Sequence, residues 1–265
     1  MGKTTHLPTI MCLILFALEI DSQYPLVIAS NRDEYYERPT QQAQFWEQNP
    51  HLLAGRDLKA GGSWLGVTRQ RRLAMVTNFR GSVVASGERS RGALVQRFLV
   101  GEMMPEDYLT QIAQEADQYA GFNLVVADKN EVWYYSNRSN QAPRRLSPGI
   151  YGLSNHLLDT PWPKVCQGKQ KLTQWLARSQ KNPEDLFTLL ADPQTAPIDQ
   201  LPNTGIATER EQSLSPIWIK TPGYGTRSST LLLQNQDDHV CFKERSFNVS
   251  QDDQTVEYLF PLQFQ

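Results

Sequence analysis

The residue best suited to chemistry in this chain is Cys12. It directly follows an internal methionine, Met11, at the head of the apolar run Cys12-Leu-Ile-Leu-Phe-Ala-Leu18. Translation from Met11, followed by removal of that methionine, would make Cys12 the first residue. A terminal cysteine carries a nucleophile and a base together, because its α-amine titrates near ~7.7–8.0 and takes the thiol proton directly or through water. With residues 1–10 (MGKTTHLPTI) attached, the same nitrogen is an amide and no base. The alternative is that Cys12 is a small buried apolar residue, the common fate of a free cysteine.

A second cluster is Ser30-Asn31-Arg32-Asp33-Glu34, where the next apolar run gives way to polar residues. Asp33 beside a terminal ammonium would hold and orient it, and Arg32 would favour a thiolate or an anionic substrate group. A solvated ion-pair turn is the competing reading. Three further polar residues share this setting at the end of an apolar run: Asn78 after residues 73–77, Asn155 after residues 150–154, and Arg227 just before residues 229–233. An asparagine amide is a suitable donor to a developing oxyanion, although asparagines also serve simply as turn residues.

These residues need strands to hold them. Apolar runs predict strands at 12–18, 25–30, 64–68, 73–77, 122–127, 132–135, 150–154, 229–233 and 239–242, several joined as hairpins. Helical spacing predicts helices at 92–100, 105–119, 164–178 and 184–190, the last with Asn182 as cap and Pro183 at its first position. The proline-rich stretch 192–225 cannot hold long regular elements, and Gly61-Gly-Ser-Trp64 reads as a tight turn into a strand. Strands, then helices, then strands predict an α+β fold with two mainly antiparallel sheets stacked between helical layers. One domain over residues 11–265 is expected, preceded by an extension over 1–10.

Composition narrows the partners. The 265 residues carry 26 Lys plus Arg and 28 Asp plus Glu, a net charge of -2 that gives no electrostatic pull toward nucleic acid or anionic membranes. The longest apolar run is about half of a bilayer span, so no membrane span is expected. Three cysteines and four scattered histidines form neither a disulfide framework nor a metal site, and a reducing, cytoplasmic setting is expected. A small-molecule substrate or ligand is the expected partner.

Longer motifs add a resemblance. Met11-Cys-Leu-Ile14, Ser30-Asn-Arg-Asp-Glu34, Gly55-Arg-Asp57, Gly61-Gly-Ser-Trp-Leu-Gly66, Val76-Thr-Asn-Phe-Arg80, Gly152-Leu-Ser-Asn155, Leu158-Asp-Thr-Pro-Trp-Pro-Lys-Val165, Leu201-Pro-Asn-Thr-Gly205 and Tyr224-Gly-Thr-Arg-Ser-Ser-Thr230 resemble the NRDE family, whose animal members are the transport and Golgi organisation 2 proteins. Family members begin Met-Cys, so residues 1–10 depart from the pattern. The family in turn resembles N-terminal-nucleophile cysteine hydrolases, which implies a four-layer αββα sandwich. Residue by residue, that resemblance implies Cys12 as nucleophile and Asp33 from an Arg-Asn-x-Asp turn, whose arginine would fall on Ser30, with Arg32 two residues on. It also implies Asn78, Asn155 and Arg227 as catalytic residues. A cysteine amidohydrolase or thioester hydrolase follows, needing no cofactor. The other implied role is a non-catalytic carrier or chaperone for haem or an acyl-CoA or lipid metabolite, in which His156 is a conceivable haem ligand.

Overall fold

A computed structural model describes residues 12–81, 87–247 and 253–263. The extension and Met11 lie outside the described residues. In chain order the strands are β1 (Cys12–Leu18), β2 (Leu26–Tyr35), β3 (Thr40–Trp46), β4 (Asn49–Asp57), β5 (Leu65–Thr68) and β6 (Leu73–Asn78), followed by helices α1 (Gly92–Val100) and α2 (Pro105–Gln114). Then come β7 (Phe122–Ala127), β8 (Val132–Ser136), β9 (Arg144–Arg145) and β10 (Gly149–Leu153), with α3 (Pro163–Leu176), α4 (Pro183–Leu190) and α5 (Thr208–Ser213) after them. The chain closes with β11 (Lys220–Thr221), β12 (Tyr224–Gln234), β13 (His239–Ser246) and β14 (Gln254–Pro261).

Two antiparallel seven-stranded sheets result. One runs β10-β1-β2-β12-β13-β14, with β11 on β12, and the other runs β3 through β9 in sequence order. Side-chain alternation along β1 builds the layers. Leu13, Leu15 and Ala17 pack against α3 and α4 through Val165, Leu172 and Leu186, while Ile14, Phe16 and Leu18 face the second sheet through Leu53, Val67 and Met75. A third core lies between the second sheet and α1 and α2, around Phe98, Leu109 and Phe122. Each buried Leu, Ile or Phe contributes about 1.5–3 kcal/mol, so both faces of both sheets are covered for a physical reason. This is the αββα sandwich that the resemblance implied.

Several elements differ from the sequence reading. β2 runs five residues beyond 30, so Ser30 through Glu34 do not form a turn at a sheet edge. They stay in a central strand because β12 pairs with β2 along its whole length, from Gln234 opposite Leu26 to Tyr224 opposite Tyr35. β3, β4 and β14 were not expected: β3 is largely polar, Thr-Gln-Gln-Ala-Gln-Phe-Trp, and β14 is mostly exposed, with Val256, Tyr258 and Phe260 on the side that packs against the core. The helix expected through Tyr119 stops at Gln114 and continues as a separate 3₁₀ turn at Ala116–Gln118, since the chain at Tyr119 bridges to Arg89. At α4, Asn182 caps as expected, accepting from the Glu184 amide at 3.0 Å.

Candidate active site

Cys12 opens β1 opposite Arg32 of β2, almost fully buried, at the end of the sandwich where the sheets are tied together. Its backbone N–H donates to Asn155 Oδ1 at 3.2 Å, and its carbonyl accepts from Ser154 Oγ at 2.9 Å. Asn155 is locked in turn: its Nδ2 donates to the Asn78 carbonyl at 2.9 Å, and its carbonyl accepts from the Arg80 amide at 2.7 Å. Thr77 Oγ1 donates to the Ser154 carbonyl at 2.7 Å. Residues just after β10 in one sheet are thereby bound to the end of β6 in the other, and the clamp closes on the nitrogen of Cys12.

Cys12, Arg32 and Asn78 line one cleft of about 350 Å³ between the sheets, with Glu34, Arg38, Asp57, Trp64 and the segment leading into α1. Arg32 lies over the Trp64 ring at 4.3 Å, and its guanidinium is 3.6 Å from Glu34, which also pairs with Arg38 at 3.5 Å. Arg38 bonds Asp57 at 2.7 Å. The turn that presents Trp64 requires glycine: a Cβ on Gly62 would sit 2.3 Å from the Gly92 carbonyl carbon, and the close approach lets the Ser63 amide bond Gly92 at 3.2 Å. Two larger clefts, of about 470 and 650 Å³, hold none of the residues singled out in the sequence.

Asp33 stands on the opposite face of β2, toward the helices, and is completely buried. Its Oδ1 accepts from Thr226 Oγ1 at 2.6 Å, whereas its Oδ2 has no hydrogen-bond partner among the described residues. Burial pushes its pKa above the usual carboxylate range, against the pull of the Lys164 ammonium. The Cys12 thiol is pushed up to about 12, first by burial and then by the Asp33 charge, with the Asp33 backbone N–H acting in the other direction. The thiol is therefore protonated at neutral pH and needs a base to react.

Arg227 is placed elsewhere. It sits at a β-bulge between Thr226 and Ser228, and the bulge aims its guanidinium at the turn after β2. There Nη1 donates to the carbonyls of Tyr35, Tyr36 and Arg38 at 2.9, 3.0 and 3.1 Å. It lines a smaller cleft of about 140 Å³ with Glu244 and Ser228, rather than the one holding Cys12. His156, the conceivable haem ligand, engages Thr160 Oγ1 through Nδ1 at 2.9 Å and lies against Phe79 and Trp162. Sequence reasoning missed Lys164, Ser154 and Thr226 as partners of the site, although each lies inside a quoted motif. Composition carried no sign of them, because the contacts span more than a hundred residues of chain.

The sequence profile described as Transport and Golgi organisation 2 matches residues 11–249. The chain belongs to that family. The human Transport and Golgi organization protein 2 homolog is 39% identical over 256 residues, covering 89% of this chain and 93% of its own length. The Drosophila melanogaster Transport and Golgi organization protein 2 is 26% identical over 264 residues, covering 89% and 92%. Among solved structures, a mutant of the conjugated bile acid hydrolase from Clostridium perfringens superposes with a TM-score of 0.50 at 7% identity, over 96% of this chain and 97% of that one. At that identity the likeness is one of fold, the N-terminal-nucleophile hydrolase type. Among the described residues, no helix is long and apolar enough to cross a membrane.

Proposed function

We propose that this family member is a cysteine hydrolase of small amides or thioesters whose nucleophile, Cys12, acts as the first residue of the working chain. One observation carries the reading: the nitrogen of Cys12 is held by Asn155, and Cys12 lines a cleft that Arg32 and Asn78 also line. As a terminal amine that nitrogen takes the thiol proton. The sulfur then bonds to the substrate carbonyl carbon, and the leaving amine or thiol departs with the proton. Water attacks the acyl-sulfur bond, releases the acid and returns the thiol. In this reading Asn78, which lines the cleft, donates to the oxyanion, and Asn155, with its amide committed to the Asn78 carbonyl, holds the nitrogen. Arg32 supplies positive charge beside the sulfur. Asp33 supplies negative charge for the ammonium, and Arg227 acts from outside by fixing the turn that carries Arg38.

The experiment is an amide and thioester panel run on protein started at Met11, alongside Cys12→Ala and the chain retaining residues 1–10. Hydrolysis of at least one substrate, lost in both comparison proteins, supports the reading. Turnover that survives in either overturns it. A second reading, a carrier of a haem or acyl-thioester ligand, draws on the protonated thiol. Saturable one-to-one binding unaffected by Cys12→Ala, with no hydrolysis of any panel member, would favour it.

A further inference from the structure

The motif Leu158-Asp-Thr-Pro-Trp-Pro-Lys-Val165 has no part in the mechanism above, yet it delivers one side chain to the site. Lys164 is the second residue of α3, is 3% exposed, and its Nζ makes no hydrogen bond among the described residues. Stability alone would not put an ammonium there. The N-terminal end of a helix carries partial positive charge and favours anions. α2 and α4 obey that rule with Glu106 and Asp107, and with Glu184 and Asp185, while α3 has no acid in its first turn. An ammonium that is buried, unbonded and set against a helix dipole is costly on three counts.

What it faces explains its place. The largest opposite charge acting on Lys164 is Asp33, and the largest acting on Asp33 is Lys164. Asp33 Oδ2 is likewise buried and, among the described residues, unbonded. Around Lys164 stand Cys12 on β1, Arg80 after β6 and Glu211 on α5, the last two paired at 2.7 Å. Around Asp33 stand Arg32 and Glu34 on its own strand and Thr226 on β12.

We propose that Lys164 is a positioning residue of this site, a buried counter-charge that keeps the Asp33 carboxylate ionised beside Cys12. The proposal rests on the nucleophile reading of Cys12 and deepens it. Without the ammonium, a fully buried carboxylate with one bonded oxygen takes up a proton in the neutral range and ceases to be an anchor for a terminal amine. Burial holds Lys164 below the usual lysine range and Asp33 above the usual carboxylate range, while the opposite charge of each draws the other back, so Asp33 titrates closer to neutral pH than an ordinary carboxylate.

The thiol reports this without any substrate, because the Asp33 charge opposes thiolate formation at Cys12. In full-length protein carrying Cys166→Ser and Cys241→Ser, the rate of Cys12 alkylation by iodoacetamide is followed from pH 5 to 9. A neutral-range inflection is expected in addition to the thiol's own titration, absent in Asp33→Asn. In Lys164→Met it should rise by about one pH unit or more, the effect of losing the largest opposite charge acting on the carboxylate. Lys164→Arg, permanently charged, should hold it at or below its original position. Asp33→Asn/Lys164→Met leaves no unpaired charge and keeps the test open if a single variant fails to fold; it should show no inflection. An inflection that is missing at the outset, unmoved in Lys164→Met, or retained in the double variant overturns the proposal. Hydrolysis failing while the inflection behaves as described would overturn the nucleophile reading and leave the charge pair standing.

Discussion

Asn31 and Asp33 lie two residues apart on the same face of β2, both completely buried, and they are treated in opposite ways. Asn31 is bonded out: its Nδ2 donates to the carbonyls of Leu190 and Ile217 at 2.8 and 2.9 Å, and its Oδ1 accepts from Ser229 Oγ at 2.6 Å. Among the described residues the Asp33 carboxylate has one bond, from Thr226 on the same partner strand, and an oxygen left over. A polar group buried for architecture has its valences filled, and an unfilled one in so protected a place is retained for another reason. Asn31 staples the strand to the end of α4 and to the 217 segment. Asp33, in the proposed reading, gives the site a charge.

The sharpest way to break that contrast is Asn31→Ala. It strands two backbone carbonyls and the Ser229 hydroxyl in the core, and should cost about 3–4 kcal/mol of unfolding free energy in urea. A loss under about 1 kcal/mol would mean that Asn31 is no staple.

Glu244 offers an intermediate case, a buried carboxylate with both oxygens bonded, to the Ala43 amide at 2.7 Å and Thr230 Oγ1 at 3.3 Å. Burial still pushes it from an ordinary 4.5 up to about 7. Because the folded value is the higher one, its contribution is fully present below about pH 4.5 and is lost as pH rises through about 7. By linkage the difference is worth about 3 kcal/mol. Glu244→Gln should flatten that part of the stability curve, leaving the variant relatively more stable near pH 8 than near pH 4. Parallel curves for the two proteins would refute the assignment.

Arg227 gives the smallest expected change. Arg227→Ala removes three carbonyl bonds from a half-buried guanidinium and should cost about 2 kcal/mol in urea unfolding. The alkylation rate of Cys12 should stay within about twofold, since the side chain lines a different cleft. A tenfold change in thiol reactivity would return Arg227 to the nucleophile.

Much of the scaffold was legible because it is written in local pattern. The unbroken apolar run Leu13-Ile-Leu-Phe-Ala-Leu18 marks a strand buried on both faces, and Asn182-Pro183 marks the start of a helix. Of the strands that escaped notice, β3 is the clearest case, a largely polar segment that takes its extended form from pairing with β4 rather than from its own residues. β2 shows the limit most clearly. Ser30 through Glu34 look like residues that should leave a sheet, and they remain because β12, nearly two hundred residues later, lies beside them and supplies Thr226 and Ser229.

The sequence by itself determined the fold class, the family likeness and which side chains were chemically capable, since composition, periodicity and motif spacing are local properties of the chain. Only the tertiary structure decided how those side chains divide: Cys12, Arg32 and Asn78 into one cleft, Asn155 onto the Cys12 backbone, Asp33 through the sheet toward Lys164, and Arg227 into a turn. Strand register and a single bulge set which face each residue occupies. Both depend on pairing between distant segments, where a shift of one residue reverses every side chain.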